Sequence, residues 1–215
     1  MKNPWLTIIG IGESDLQYLA DVSQNRLESA DIIIGPPRHL RLLGLSGSNV
    51  LEWPVPFSDG LKLLDKYKGK KVVVLVSGDP FWYGAAATIL RKFSFDEIEV
   101  FPGPSTFGWA AARMGWSIED ISCVGLHAKP VEHIRSLIAP KRKILALMRD
   151  GDQVKSLSHY LSKLGFGQTK IRVFESLGGN NERIREIAAE EYLSLIHISE
   201  PTRRRGISYA VFCLK

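Results

Sequence analysis

The sequence predicts an α/β protein of two domains, each a mostly parallel or mixed sheet flanked by helices, with a cleft between them. Three observations predict it. Apolar runs of strand length alternate with helical stretches. The strands of the first half end in loops of Gly, Pro, Asp and Ser. The pattern then restarts after Gly115-Trp116-Ser117. A chain of 215 residues is long enough to bury two small cores.

The elements follow in order. Leu6–Ile9 is an apolar run ending in Gly10-Ile11-Gly12, and Leu16, Leu19, Ala20 and Leu27 mark the helix behind it. Asp31 opens the strand Ile32–Ile34, which Gly35-Pro36-Pro37 closes. Val72–Val76 is apolar throughout, as expected of a strand covered on both faces. It runs into Ser77-Gly78-Asp79-Pro80 and a helix over about 85–90. Ile98–Phe101 is a strand ending in Pro102-Gly103-Pro104-Ser105-Thr106, before a helix over about 107–114. The second half begins with strands at Ile121–Val124 and Ile144–Met148 and a helix near 154–164 that Gly165 terminates. The strand Ile171–Phe174 and a closing helix over about 182–189 complete it. Domains are thus expected over 1–115 and 116–192.

Residues 193–215 stand apart. LSLIHISEPTR and ISYAVFCLK, separated by Arg204-Arg205-Gly206, resemble translated adapters from sequencing libraries. The segment is therefore set aside as a non-native tail, and the natural C-terminus is expected to be missing. The competing reading is a genuine strand, since Ile207–Leu214 has β-branched and aromatic content. Removing its four basic residues and one acidic residue takes the formal charge from +5 to +2. Strong basicity is then not a property of the remainder. A nucleic-acid-binding module would need a basic stripe with interleaved aromatics, and the scattered Trp5, Trp53, Trp82, Trp109 and Trp116 do not supply one.

No apolar run approaches the roughly 20 residues of a membrane span. The N-terminus shows no signal peptide, and Cys123 and Cys213 have neither disulfide nor metal-ligand spacing. A cytoplasmic protein with no metal site is the expectation.

Chemistry is expected at the three loops around Gly10-Ile11-Gly12, Ser77-Gly78-Asp79-Pro80 and Pro102–Thr106, since glycine lets a ligand approach the backbone closely. A dinucleotide-binding Rossmann site is the obvious competitor. It requires a third glycine where Asp15 stands and an acidic residue closing the second strand, where Gly35 stands.

The order of these motifs over about residues 5–190 resembles the tetrapyrrole methylases. LTIIGIGESDLQYL resembles that family's first glycine loop, with Glu13 and Ser14 replacing its usual Pro-Gly. VSGDPFWYG (Val76–Gly84) is similar to its Gly-Asp-Pro signature, the most specific element. FPGPSTFGWAAARMG (Phe101–Gly115) and VFESLGGNNERI (Val173–Ile184) resemble its later segments. IIIGPPRHLRLL (Ile32–Leu43) and SCVGLHAKP (Ser122–Pro130) are similar to the precorrin C5-methyltransferase branch, with Gly125 and Ala128 as departures.

The resemblance implies a methyltransferase that uses S-adenosylmethionine and methylates C5 of a precorrin or cobalt-precorrin in cobalamin biosynthesis. It implies a small-molecule tetrapyrrole substrate and a homodimer. A C15-methylating, decarboxylating partner domain or protein stays open. So does a superfamily member acting on another precorrin carbon, diphthine or ribosomal RNA. By the same resemblance Gly10, Gly12, Ser77, Gly78, Asp79, Trp82, Ser105 and Thr106 line the cofactor. Leu177 and Gly178 complete the adenine pocket, and Met148 lies near the adenine or in the core. Asp79 can instead shape its own loop. Arg38 and His39 either contact substrate carboxylates, through a guanidinium fork and an imidazole, or cap a helix and face solvent. His127 is a candidate substrate contact or proton acceptor. His133, His159 and Lys141-Arg142-Lys143 read as surface residues.

Overall fold

The computed structural model of the chain describes residues 4–13, 16, 19–192 and 209–213. Ser14, Asp15 and 193–208 lie outside the described residues, as do Leu214 and Lys215, so the structure does not address the expectations placed on them. The chain divides into two compact units, Met1–Thr106 and Phe107–Lys215.

The first unit carries a parallel sheet in the order β3-β2-β4-β1-β5. Its strands are β1 (Leu6–Ile11), β2 (Ile32–Gly35), β3 (Val50–Glu52), β4 (Val72–Ser77) and β5 (Ile98–Phe101). Every residue of β1 is buried, as is β4 up to Val76. Central parallel strands covered on both faces must read this way. Opposite faces of the strands feed separate cores: Leu6, Ile8, Val72 and Val74 pack with Ile89 and Phe93, whereas Ile9, Ile11, Val73 and Leu75 pack with Leu27, Leu40 and Leu43.

The helices of this unit are α1 (Asp21–Glu28), α2 (Pro37–Leu42), α3 (Phe57–Lys66) and α4 (Ala86–Ile89). Three of its elements were not expected: β3, α2 and α3. Pro37 fixes φ at the first turn of α2. β3 is three residues long and only half-buried, too short to register as a periodic run.

The second unit opens with α5 (Thr106–Met114), which begins at the last residue of the first. Its mixed sheet runs β6-β7-β10-β8-β9. The strands are β6 (Ile121–Gly125), β7 (Lys143–Leu147), β8 (Lys170–Glu175), β9 (Arg183–Ala188) and β10 (Tyr209–Cys213). Helix α6 (Gly151–Lys163) is capped by Asp150, whose carboxylate accepts from Gln153 N–H at 2.9 Å. A short α7 (Ala189–Tyr192) follows β9.

One expectation is corrected here. The closing helix over 182–189 is a strand, β9, paired antiparallel to β8 from Lys170↔Ala188 to Glu175↔Arg183. Ile184, Ile187 and Ala188 have helical spacing, but the free edge of β8 supplies a ladder and charge pairs that a lone helix would lack. Arg172 faces Glu186 directly in this register, and Arg185 reaches Glu175 at 2.8 Å. The segment set aside as a tail also contributes a strand. Tyr209–Cys213 within it forms β10, hydrogen-bonded antiparallel to both β7 and β8 at the centre of the sheet.

Candidate functional site

In the first sheet the chain leaves β1 toward β2 on one side, and leaves β4 toward β5 on the other. Such a reversal opens a crevice beyond the carboxyl ends of the two strands, where α/β sheets bind ligands. The three glycine loops converge there because β4, β1 and β5 are neighbours. Gly78 N–H donates to Ile11 O at 2.7 Å, and Gly103 N–H to Gly78 O at 3.2 Å.

The loops interlock without side-chain space. A Cβ on Gly10 would lie 1.9 Å from Gly78 O and 2.3 Å from Gly103 N, and one on Gly103 would lie 2.5 Å from Gly10 O. Backbone cannot yield at such distances. Gly10 is therefore required by loop against loop, a cause that serves the site by shaping it. Gly78 differs, because its φ is +55° and a Cβ there would meet only Pro104 O, at 3.5 Å. Its requirement is conformational. Gly12 is half-buried just past β1.

Asp79 adopts the loop-shaping role. Its Oδ1 accepts from Phe81 N–H at 2.8 Å, an Asx turn that bends the chain directly after β4. The turn presents Trp82 at the surface and places Tyr83 at φ +54°. Gly84 closes it, since a Cβ there would lie 2.4 Å from Pro80 O. Ser77 is exposed at the end of β4, and Ser105 and Thr106 are half-buried after β5.

Arg38 and His39 divide in role. Arg38 is exposed on α2 and ion-paired with Glu13 of the first loop. Glu13, one of the two residues that replace the family's Pro-Gly, thus pairs with one nitrogen of the guanidinium expected to meet a substrate carboxylate. His39 is 2 % exposed, which corrects the alternative that it faces solvent. Burial, and next to it the charge of Arg38, push its pKa down to about 4, so the ring is neutral at ordinary pH. Its Nε2 lies 3.3 Å from Ser77 Oγ, and its Nδ1 is buried with no hydrogen-bond partner among the described residues.

Sequence reasoning found both members of this pair separately. No spacing signal joins residues 38 positions apart on two elements.

The remaining candidates belong to the second unit. His127 is half-buried in the turn after β6. Met148 is fully buried, in the core cluster that holds Leu126, Val154, Leu157 and Ile171. Leu177 is buried against Phe107, Ala110 and Phe174. Gly178 has φ +79°, and a Cβ there would lie 2.7 Å from the Trp109 ring.

An unassigned residue holds this turn. Glu182 accepts from Gly178 N–H at 2.8 Å and from Arg113 Nε and Nη2 at 2.5 and 2.9 Å. The Arg113 guanidinium holds the Glu182 carboxyl below its usual range, and itself lies 5.2 Å from the centroid of the Trp109 ring. Glu182 lies within VFESLGGNNERI, but only the fold gave it a partner. Among the described residues no helix is long and apolar enough to cross a membrane.

The sequence model of the tetrapyrrole (corrin/porphyrin) methylases matches residues 5–192. A precorrin-6Y C(5,15)-methyltransferase (decarboxylating) of Sinorhizobium is 36% identical over 197 residues, covering 91% of this chain and 48% of the relative. The chain thus spans about half the length of such relatives. A probable cobalt-precorrin-7 C(5)-methyltransferase of Methanocaldococcus jannaschii is 31% identical over 184 residues, covering 82% of this chain and 86% of the relative. Among solved structures, a uroporphyrin-III C-methyltransferase of Thermus thermophilus complexed with S-adenosylhomocysteine superposes at TM-score 0.75 with 17% identity, covering 96% of both chains. A precorrin-6Y methylase of Archaeoglobus fulgidus does so at 0.69 with 22% identity, covering 98% of this chain and 97% of that one. These two establish the shared fold.

Proposed function

This chain belongs to the tetrapyrrole (corrin/porphyrin) methylases, and from that premise we propose that it methylates C5 of a precorrin or cobalt-precorrin. The methyl donor is S-adenosylmethionine, and the product belongs to the corrin ring of cobalamin. The observation that carries the reading is the convergence of three loops on the carboxyl ends of β1, β4 and β5, locked by Gly10, Gly78 and Gly103. The C5 assignment rests on relatives of two kinds, one about twice the length of this chain and one of similar length.

The residues present fit such a donor. The crevice is walled by backbone, with Gly78 at positive φ and the exposed Ser77 and Trp82 beside it. Bound there, S-adenosylmethionine supplies a methyl group on a sulfonium, open to in-line attack by an electron-rich ring carbon. The chain has to hold and orient, and orientation alone can supply effective molarities of about 10⁵ M or more. The turn made by Asp79 fixes where Trp82 stands, and the Ser77 hydroxyl lies 3.3 Å from His39 Nε2. The reading includes a homodimer in the cytoplasm. It also leaves C15 methylation to a region or protein beyond this chain.

Calorimetric titration with S-adenosylmethionine and S-adenosylhomocysteine, with NAD as control, tests the class. Micromolar binding of the first two, abolished by Gly78→Val, is expected. A folded protein that binds only NAD would end the proposal. Product analysis tests the regiochemistry, because a new methyl on any other ring carbon excludes C5.

A further inference from the structure

The His39–Ser77 pair explains more than its burial. His39 sits on α2, and its buried ring meets the exposed end of β4 through Ser77. Its Nδ1 has no hydrogen-bond partner among the described residues. A buried N–H left without an acceptor is the rarer and costlier defect, so the proton belongs on Nε2 and the bare lone pair on Nδ1. Nε2–H then donates to Ser77 Oγ across 3.3 Å. That bond occupies an Oγ lone pair and leaves the hydroxyl hydrogen directed away from the imidazole, toward the crevice. The opposite tautomer would make Ser77 donate inward and offer only lone pairs outward. Burial thus fixes which kind of ligand atom Ser77 can meet.

We propose that His39 is a positioning residue that fixes Ser77 as a hydrogen-bond donor, so that the crevice at the end of β4 receives a carboxylate oxygen there. The proposal rests on the methyltransferase reading and deepens it. Two sources present that chemistry: the amino-acid end of the methyl donor and the acidic side chains of a tetrapyrrole. Arg38 does not compete for the same group, because its guanidinium is paired with Glu13. His39 itself never touches the ligand in this arrangement; its effect passes through the Ser77 hydroxyl.

The test has three parts. In the ligand-free protein labelled with ¹⁵N-histidine, the His39 ring should show the Nε2–H tautomer; an Nδ1–H tautomer overturns the proposal. Where the carboxylate received is the methyl donor's, Ser77→Ala and His39→Leu should each weaken S-adenosylmethionine binding about tenfold in calorimetry. Their combination should be no weaker than either alone, and His39→Gln, which keeps a donor in place, should recover binding to within about threefold. Additive losses in the double variant would mean that His39 acts by general packing, and the proposal would fall.

Decarboxylated S-adenosylmethionine separates the sources. If the carboxylate is the donor's, Ser77→Ala leaves binding of the decarboxylated analogue unchanged. If it is the tetrapyrrole's, Ser77→Ala spares donor binding, and in turnover raises KM for the tetrapyrrole about tenfold with kcat retained. The His39 variants then track that KM. A Ser77→Ala protein altered in neither respect refutes the proposal while leaving the methyltransferase reading intact. A wild-type protein that binds no donor overturns the reading itself.

Discussion

Lowering the pH from 7.5 to 5.0 should destabilise the protein chiefly through one side chain, His39. Burial holds this imidazole neutral, with a pKa of about 4 against an ordinary 6.5. In the unfolded chain it protonates near 6.5, so between 6.5 and 4 the unfolded state binds the proton more readily. The depressed value therefore contributes stability that is present above about 6.5 and lost as pH falls toward 4. A difference of about 2.5 pH units corresponds to about 3 kcal/mol in full, of which about 2 kcal/mol is gone by pH 5.0.

The paired carboxylates act in a lower window. Arg113 holds Glu182 and Arg172 holds Glu186 below their usual range, so their contributions persist until pH falls under the ordinary glutamate value. Urea unfolding at pH 7.5 and 5.0 measures the loss, with His39→Gln as the neutral reference. The wild type should lose about 2 kcal/mol between the two conditions, and the variant should show a nearly flat profile there. Equal pH slopes for wild type and variant would refute the reasoning, because the sensitivity would then belong to other groups.

Gly10→Ala should be more damaging than its size suggests, at about 3 kcal/mol, because the added methyl meets only backbone. Gly69→Ala, at φ +91° in open space, should lose about 1 kcal/mol, and thermal melts of the two compare crowding with strain. Glu182→Ala should release the Leu177–Gly178 turn and cost about 1 kcal/mol, with Glu182→Gln milder because it can still accept from Gly178 N–H. Faster amide exchange at Gly178 in the alanine variant is the measurement. A chain ended at Tyr192 should aggregate, because removing β10 bares the facing edges of β7 and β8. Light scattering decides it, and a monodisperse, normally melting truncation would show that the sheet does without that strand.

The sequence by itself determined β1, β2, β4 and β5 of the first half and the loops at their ends. Val72–Val76 has no polar position, and a strand of that kind has nowhere to go but the middle of a covered sheet. The loops that follow β1, β4 and β5 were legible for the same reason, since Gly and Pro at strand ends carry local backbone meaning that needs no partner. Asp79 was legible too, because an Asx turn is made within three residues.

What depended on partners far along the chain was decided only in three dimensions. Arg183–Ala188 carries helical spacing, and becomes β9 because β8 offers hydrogen bonds and Arg172 meets Glu186. Met148 enters the core because the end of β7 meets α6, a fact no spacing contains. His39 could be read as a surface contact from the chain alone. It becomes a buried neutral ring because α2 lies over the end of β4, where the low polarity of the interior sets both its charge and its partner. Local backbone chemistry is written residue by residue, whereas burial and electrostatics belong to the assembled fold.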